Sequence, residues 1–232
     1  IIAGPCAAES KEQLFQTARG LTESLSTKGL ALDFFRAGVW KPRSKPGDFS
    51  GIGTEALPWL QELQQQFGIP VCVEVGTPDQ LDLCEQYDIK ACWIGARTSV
   101  NPFDVQAIAD AAKNRDFTVM VKNPMVADLK LWIGNIERFL NAGITKLMAV
   151  HRGCADSNES VYRNNPSWEM AIDLKVRYPQ IPLLCDPSHI AGQRQYIAQL
   201  SQLALDYGFD GLMIEAHNQP SAALSDAEQQ LT

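Results

Sequence analysis

Short apolar runs recur along the chain, with longer amphipathic stretches between them. The runs lie around Ile1 and at residues 30–35, 70–75, 91–94, 118–121, 146–150, 181–185 and 211–214, eight in all. Nearly every residue within a run is apolar, as in a parallel strand covered on both faces, and not alternating as in a sheet with one wet face. The stretches between the runs follow a helical period. Leu129, Trp132, Ile136, Phe139 and Leu140 fall on one face, as do Ile197, Leu200, Ala204 and Tyr207. Gly29, Gly68, Gly143 and Gly208 each stand just before the next run, where a left-handed residue can end a helix. The repeated unit is strand then helix. Eight units predict a single-domain α/β protein with the (β/α)8 TIM-barrel fold, and 232 residues suit a trimmed example of a fold of about 250. A doubly wound open sheet is the competing architecture, but no glycine-rich dinucleotide turn follows the first run.

Smaller signals refine the picture. Thr54, in the stretch Gly51-Ile52-Gly53-Thr54-Glu55-Ala56, is expected to cap the helix that follows, with Pro58 in its first turn. Trp59, Trp132 and Trp168 read as packing residues, and a last helix is expected from about Ser225. Ile1-Ile2-Ala3 already reads as strand without an initiator Met, so both ends are expected to be trimmed.

Composition narrows the function classes. The chain is 45% hydrophobic and 20% charged, so it is neither disordered nor fibrous. Twenty Lys+Arg against 27 Asp+Glu give a formal charge of −7, the wrong sign for a general binder of nucleic acid or anionic membrane. The apolar runs fall well short of the roughly twenty residues a membrane span needs. Six cysteines without a CxxC spacing, four of them inside apolar stretches, point to buried thiols in a reducing compartment, and the cytoplasm is the expected location.

In a barrel the chemistry sits where the strands end. The polar residues that follow the apolar runs are Cys6; Arg36 with Lys41 and Arg43; Glu74; Arg97; Lys122; Arg152; Asp186 with His189; and Glu215 with Asp226 beyond it. An acidic protein has therefore gathered cations at one rim, as a small ligand bearing more than one phosphate or carboxylate group requires. Cys6, His189, Glu215 and Asp226 form a mixed soft and hard donor set, suited to Mn, Fe, Co or Zn and not to Mg or Ca. Only barrel closure, which brings the first, seventh and eighth strands side by side, would make them a cluster. His217 either faces this site or caps its own loop.

These residues sit in motifs that together resemble a known family. Gly4-Pro5-Cys6 with Glu9-Ser10, Arg36-Ala37-Gly38 through Lys41-Pro42-Arg43, Ile94-Gly95-Ala96-Arg97-Thr98, Val121-Lys122-Asn123, His151-Arg152-Gly153, Asp186-Pro187-Ser188-His189, Met213-Ile214-Glu215 and Ala223-Leu224-Ser225-Asp226 are similar to 3-deoxy-D-arabino-heptulosonate 7-phosphate (DAHP) synthases. The likeness runs the whole chain in order. It is nearest to the compact microbial branch related to 3-deoxy-octulosonate 8-phosphate synthases and often fused to chorismate mutase.

The resemblance implies a (β/α)8 barrel that condenses phosphoenolpyruvate with erythrose 4-phosphate at the start of the shikimate pathway. It implies a divalent metal on Cys6, His189, Glu215 and Asp226, with Lys41, His189 and Cys6 as the catalytic group. Arg97, Lys122 and Arg152 with Arg36 would grip phosphoenolpyruvate, beside Asp186. Lys41 would lie between the substrates as a proton donor with a lowered pKa, and Pro42, Arg43 and Ser44 would hold the aldose phosphate. Two departures are visible: Ser44 where relatives commonly have Thr, and His151 before Arg152 where relatives of the compact branch often have Glu. A homo-oligomer is expected, and a fused mutase domain would lie outside this chain. The competing readings are an octulosonate synthase using arabinose 5-phosphate, whose aldose loop resembles Lys-Ala-Asn-Arg-Thr-Ser where this chain has Lys41-Pro42-Arg43-Ser44, and a non-catalytic regulatory barrel.

Overall fold

Each apolar run becomes a strand, although the second begins later than its pattern implies, because Leu30 is exposed and precedes the sheet. In the computed structural model, residues 1–43, 46–156 and 160–232 are described. Among them the strands are β1 (Ile2–Gly4), β2 (Phe34–Arg36), β3 (Val71–Val75), β4 (Ala91–Ile94), β5 (Thr118–Lys122), β6 (Lys146–His151), β7 (Leu183–Cys185) and β8 (Gly211–Glu215). All pair in parallel, in chain order, and β8 returns to β1 through the register Gly4↔Glu215, closing a TIM barrel. The helices α1 (Lys11–Ser26), α2 (Leu57–Phe67), α3 (Pro78–Gln86), α4 (Pro102–Ala112), α5 (Leu129–Asn141), α6 (Trp168–Arg177), α7 (Pro187–Ala191) and α8 (Ile197–Asp206) form the connections. No helix of the described residues is long and apolar enough to cross a membrane.

The period of two within the strands builds the site. One set of side chains, including Phe35, Val73, Cys92, Val119 and Ala149, packs outward against the helices. The other set, Ile2, Cys72, Ala91, Trp93, Met120, Val150, Leu184 and Met213, fills the barrel as a separate apolar plug. Two residues further along the same strands, on the same inner side, stand Gly4, Glu74, Lys122, Arg152, Asp186 and Glu215. The barrel is thus apolar below and charged above. All six cysteines are free and buried.

The helices are cut as the sequence implies in most places. Ser10, Thr77, Asn101 and Asp128 accept backbone N–H groups at the starts of α1, α3, α4 and α5, and Gly68 ends α2 in the left-handed conformation (φ 66°). Trp132, Ile136 and Phe139 bury the inner face of α5, while Tyr207 lies beyond the end of α8 and is 44% exposed. Thr54 does not cap α2. It lies within a 3-10 turn, Gly53–Ala56, that runs straight into the helix, although Pro58 does occupy the first turn. Nor does a helix begin at Ser225: after β8 the described residues form the short 3-10 turns Pro220–Ala222 and Ala227–Gln229, and Leu231 then bridges Ala216. That bridge, and the bonds of Gln229 and Gln230 described below, compete with helical pairing and hold the segment over the barrel mouth.

His151 shows what barrel packing does to a titratable group. Its ring lies 6.0, 5.7 and 6.2 Å from those of Trp132, Trp168 and Phe209, its Nε2 bonds the Pro166 carbonyl, and its buried Nδ1 has no partner among the described residues. Burial, aided by the Arg152 charge and opposed by the Pro166 carbonyl and Asp186, lowers its pKa to about 4. The unfolded chain takes up this proton near pH 6.5, so stability is intact above that pH and falls as pH drops toward 4, by about 3 kcal/mol in full. Denaturant unfolding at pH 7.5 and 5.0 should show wild type losing about 2 kcal/mol more than His151→Phe. Equal losses in the two proteins would contradict this assignment.

Candidate active site

From the charged upper layer, Glu74, Lys122 and Arg152 line a cavity of about 270 Å³ at the C-terminal ends of the strands. Lys41, Arg43, Arg97, Lys122, Arg152 and Arg163 enter its wall together with Pro42, Glu74, Trp93, Asn164, His189 and Asp226. Every cation predicted for the rim, except Arg36, therefore reaches one space. Arg36 lies beneath it, 1% exposed, with its guanidinium 4.8 Å from the Trp93 ring centre and its Nη2 donating to Glu215 Oε1 at 3.0 Å. Its buried Nε and Nη1 find no acceptor among the described residues.

Trp93, which the sequence reading left within an apolar strand, is the floor of the cavity. Its Nε1 donates to Glu74 Oε2 at 3.2 Å, and Lys122 Nζ sits 5.6 Å from its ring centre. A side chain at Gly95 could not coexist with this arrangement, because a Cβ there would stand 2.0 Å from Glu74 Oε1. Arg43 is anchored by its Nε to the Phe49 carbonyl at 2.7 Å, and its loop is drawn tight where Gly51 passes so close to Val39 that a Cβ would fall 2.1 Å from the carbonyl oxygen. Ser44 lies outside the described residues.

Asp186 does not face the cavity as a substrate contact would. It is fully buried, accepts from Lys122 Nζ at 2.6 Å and from His189 Nδ1 at 3.0 Å, and caps α7 by accepting the His189 backbone N–H. Burial opposes its ionisation, but His189 and Lys122 hold its pKa well below the usual carboxylate range. Burial lowers the pKa of His189, which favours neutral imidazole. Burial also lowers the pKa of Arg152, to about 10, so it stays cationic at neutral pH. Asn123, from the Val121-Lys122-Asn123 motif, and Asn164, which no motif marks, fix this arginine: Asn123 Oδ1 accepts its backbone N–H, and Asn164 Oδ1 accepts from Nη1, both at 2.7 Å.

Across the cavity, Cys6, Glu215 and Asp226 bring one ligand atom each within 4.8 Å of one another. His189 stands beside this trio, with Nε2 3.7 Å from Glu215 Oε1. The Cys6 thiol donates to Asp226 Oδ2 at 3.2 Å and receives Lys41 Nζ at 3.0 Å. Burial, reinforced by Glu215, raises its pKa to about 12. One thiol and two carboxylates, with a neutral imidazole adjacent, fit a divalent transition ion: a soft ligand selects against Mg and Ca, and the ion's charge favours the thiolate. Lys41 departs from the expected lowered pKa. Burial pulls it down, but Cys6, Glu215 and Glu74 more than offset this, so its pKa is raised and the ammonium persists. His217 turns away into its own loop, where Nδ1 accepts the Gln219 backbone N–H at 2.9 Å.

A closed parallel barrel with a cation-lined cavity and a metal-competent thiol and carboxylate cluster at the C-terminal ends of its strands is the class of protein that the fold and site define. The particular family is then plain. The chain belongs to the DAHP synthetase I family, whose sequence model matches residues 1–232. It is 32% identical over its whole length to a phospho-2-dehydro-3-deoxyheptonate aldolase of Thermotoga maritima, and spans 64% of that protein's length. It is 27% identical over 97% of its length to a 2-dehydro-3-deoxyphosphooctonate aldolase of Bordetella petrii, covering 82% of it. Among solved structures, the DAHP synthase of Thermotoga maritima superposes with a TM-score of 0.85 at 31% identity, over 99% of this chain and 64% of the other. A truncated form of 3-deoxy-D-arabino-heptulosonate 7-phosphate synthase from the same organism gives 0.82 at 28%, over 99% and 79%.

Removing Arg36 would leave Glu215 buried without the guanidinium that pairs with its Oε1. Arg36→Met should cost on the order of 3–5 kcal/mol, and the double variant Arg36→Met, Glu215→Leu should recover most of it. Urea unfolding of the three proteins at pH 7 is the measurement, and a single variant within 1 kcal/mol of wild type would refute the argument.

Proposed function

We propose that this chain is the catalytic barrel of a metal-dependent DAHP synthase, which condenses phosphoenolpyruvate, erythrose 4-phosphate and water to the seven-carbon sugar acid phosphate and inorganic phosphate. The observation that carries the reading is the meeting of six cations with His189 and Asp226 in one cavity, with Cys6 and Glu215 buried against Asp226 just behind its wall. Two multiply charged anions repel in water, and the cationic wall offsets that repulsion while fixing their relative position.

Arg97, Lys122 and Arg152 hold phosphoenolpyruvate, and Arg36, beneath the cavity with its Nε and Nη1 unpaired among the described residues, is assigned to the same anion from its motif. Such donors are costly while buried and unpaired, and an anion relieves that cost. Asp186 keeps Lys122 and His189 oriented. Pro42 and Arg43 hold the aldose phosphate, and Ser44 is assigned the same role from its motif. Cys6, His189, Glu215 and Asp226 would hold a divalent ion, one of Mn, Fe, Co or Zn, which when bound would supply Lewis-acid polarisation of the aldehyde oxygen. Lys41, kept protonated by its acidic neighbours, lies between the substrates and gives its Nζ proton to the aldehyde oxygen as enol C3 bonds to the aldehyde carbon. Water then adds to the electron-poor C2, one of its protons restoring Lys41 Nζ and the other leaving with phosphate as the C2–oxygen bond to phosphate breaks and the ketone forms.

The anchor at Arg43 and the cluster at Cys6 set the span available to the sugar. Erythrose 4-phosphate should exceed arabinose 5-phosphate in kcat/KM by at least about tenfold, or roughly 1.4 kcal/mol of transition-state discrimination. Phosphate release and product mass with each sugar provide the test, and chelation should abolish turnover until Mn or Co is restored. Preferential formation of an eight-carbon product would instead make the chain an octulosonate synthase, and no turnover with either sugar in the metal-loaded protein would favour a regulatory barrel.

A further inference from the structure

Gln229 ends the 3-10 turn that begins just after Asp226. Its side chain is 1% exposed, and charged groups engage both ends of its amide. Nε2 donates to Glu215 Oε2 at 2.7 Å, and Oε1 accepts from Arg163 Nη1 at 2.7 Å. The same Nη1 donates to Asp226 Oδ1 at 2.9 Å. One amide and one guanidinium nitrogen thus hold both carboxylates of the metal-competent trio.

The chemistry of the position is restrictive. Only one orientation of the amide works, because a flip would set its carbonyl against Glu215 and its NH₂ against Arg163. An acid at this position would repel Glu215, and a base would repel Arg163. Arg163 also precedes Asn164, which accepts from Arg152 and donates through Nδ2 to the His189 carbonyl at 2.6 Å. Two adjacent residues between β6 and α6 therefore reach the anion-binding wall, the histidine and the carboxylates. Gln229 itself does not line the cavity that those cations share.

We propose that Gln229 and Arg163 are a positioning pair that sets how Glu215 and Asp226 are presented to a divalent cation. The proposal rests on the metal reading given above. Partners of metal ligands that fix ligand orientation typically change metal affinity by about 10–100-fold when removed. The pair should therefore show in metal binding itself, apart from turnover.

The test is titration of the metal-free full chain with Co(II). Thiolate charge-transfer absorbance reports Cys6, the visible bands report coordination geometry, and calorimetry gives affinity. Gln229→Met should bind Co(II) about 10–100-fold more weakly with altered visible bands, and its affinity for phosphoenolpyruvate without metal should stay within about twofold of wild type. Arg163→Lys keeps the charge but not the shared contact, and should lose affinity several-fold. If wild type shows no thiolate charge-transfer band, the metal reading falls and the positioning role with it. If wild type shows the band and both variants match its affinity and spectrum, only the positioning role is overturned. Should Gln229→Met fail to fold, Arg163→Lys decides: wild-type affinity refutes the pair, and a several-fold loss supports it.

Discussion

Arg36 and Glu215 meet 3.0 Å apart at the mouth of the barrel, 1% and 0% exposed, on strands that flank the closing strand β1. Two charges so deeply removed from water persist only where each is answered by the other or by further polar groups. Glu215 receives Arg36 on one oxygen and Gln229 on the other, while Arg36 lies over the Trp93 ring. The same demand explains the second buried pair, Lys122 with Asp186. The apolar plug beneath carries the packing, and these paired charges are what the barrel holds up to its ligands.

The arrangement divides the mouth by sign. Cations face the cavity from β4, β5 and β6, while Cys6, Glu215 and Asp226 gather where β8 meets β1. Lys41 belongs to both halves, because it lines the cavity while bonding the Cys6 thiol and carbonyl. Cys6, Glu215 and Glu74 together keep it protonated, against the pull of burial and of Arg36. A site organised in this way offers cations to an anion on one side and, in the reading proposed here, ligands to a cation on the other, with Arg36 and Arg163 balancing Glu215 and Asp226.

Much of this was legible in the chain, because a barrel turns sequence order into circular order. Eight apolar runs fixed the strand count, and the polar residues at or just past their C-terminal ends included Glu74, Lys122, Arg152, Asp186 and Glu215, which stand on the inner side of the rim. What could not be read was pairing between distant segments. That Asp186 supports Lys122 and His189, and that Arg36 sinks beneath the cavity, depend on side-chain reach and burial, not on spacing. Gln229 and Asn164 were missed because an amide carries no charge to mark it, and Trp93 because its strand reads as uniformly apolar. The helix expected from Ser225 failed for a related reason: Gln229 and Gln230 spend their amides on Glu215 and on the Cys6 backbone N–H, interactions invisible to local periodicity.

The central claim is that the cationic wall and the thiol and carboxylate cluster serve one reaction space. A crystal structure with phosphoenolpyruvate and Co(II), collected at the cobalt edge, tests it most directly. The account predicts one strong anomalous peak among Cys6, His189, Glu215 and Asp226, with the enol substrate's phosphate and carboxylate against Arg97, Lys122 and Arg152 in the same cavity. Cobalt elsewhere, or phosphoenolpyruvate bound away from those three cations, would contradict it.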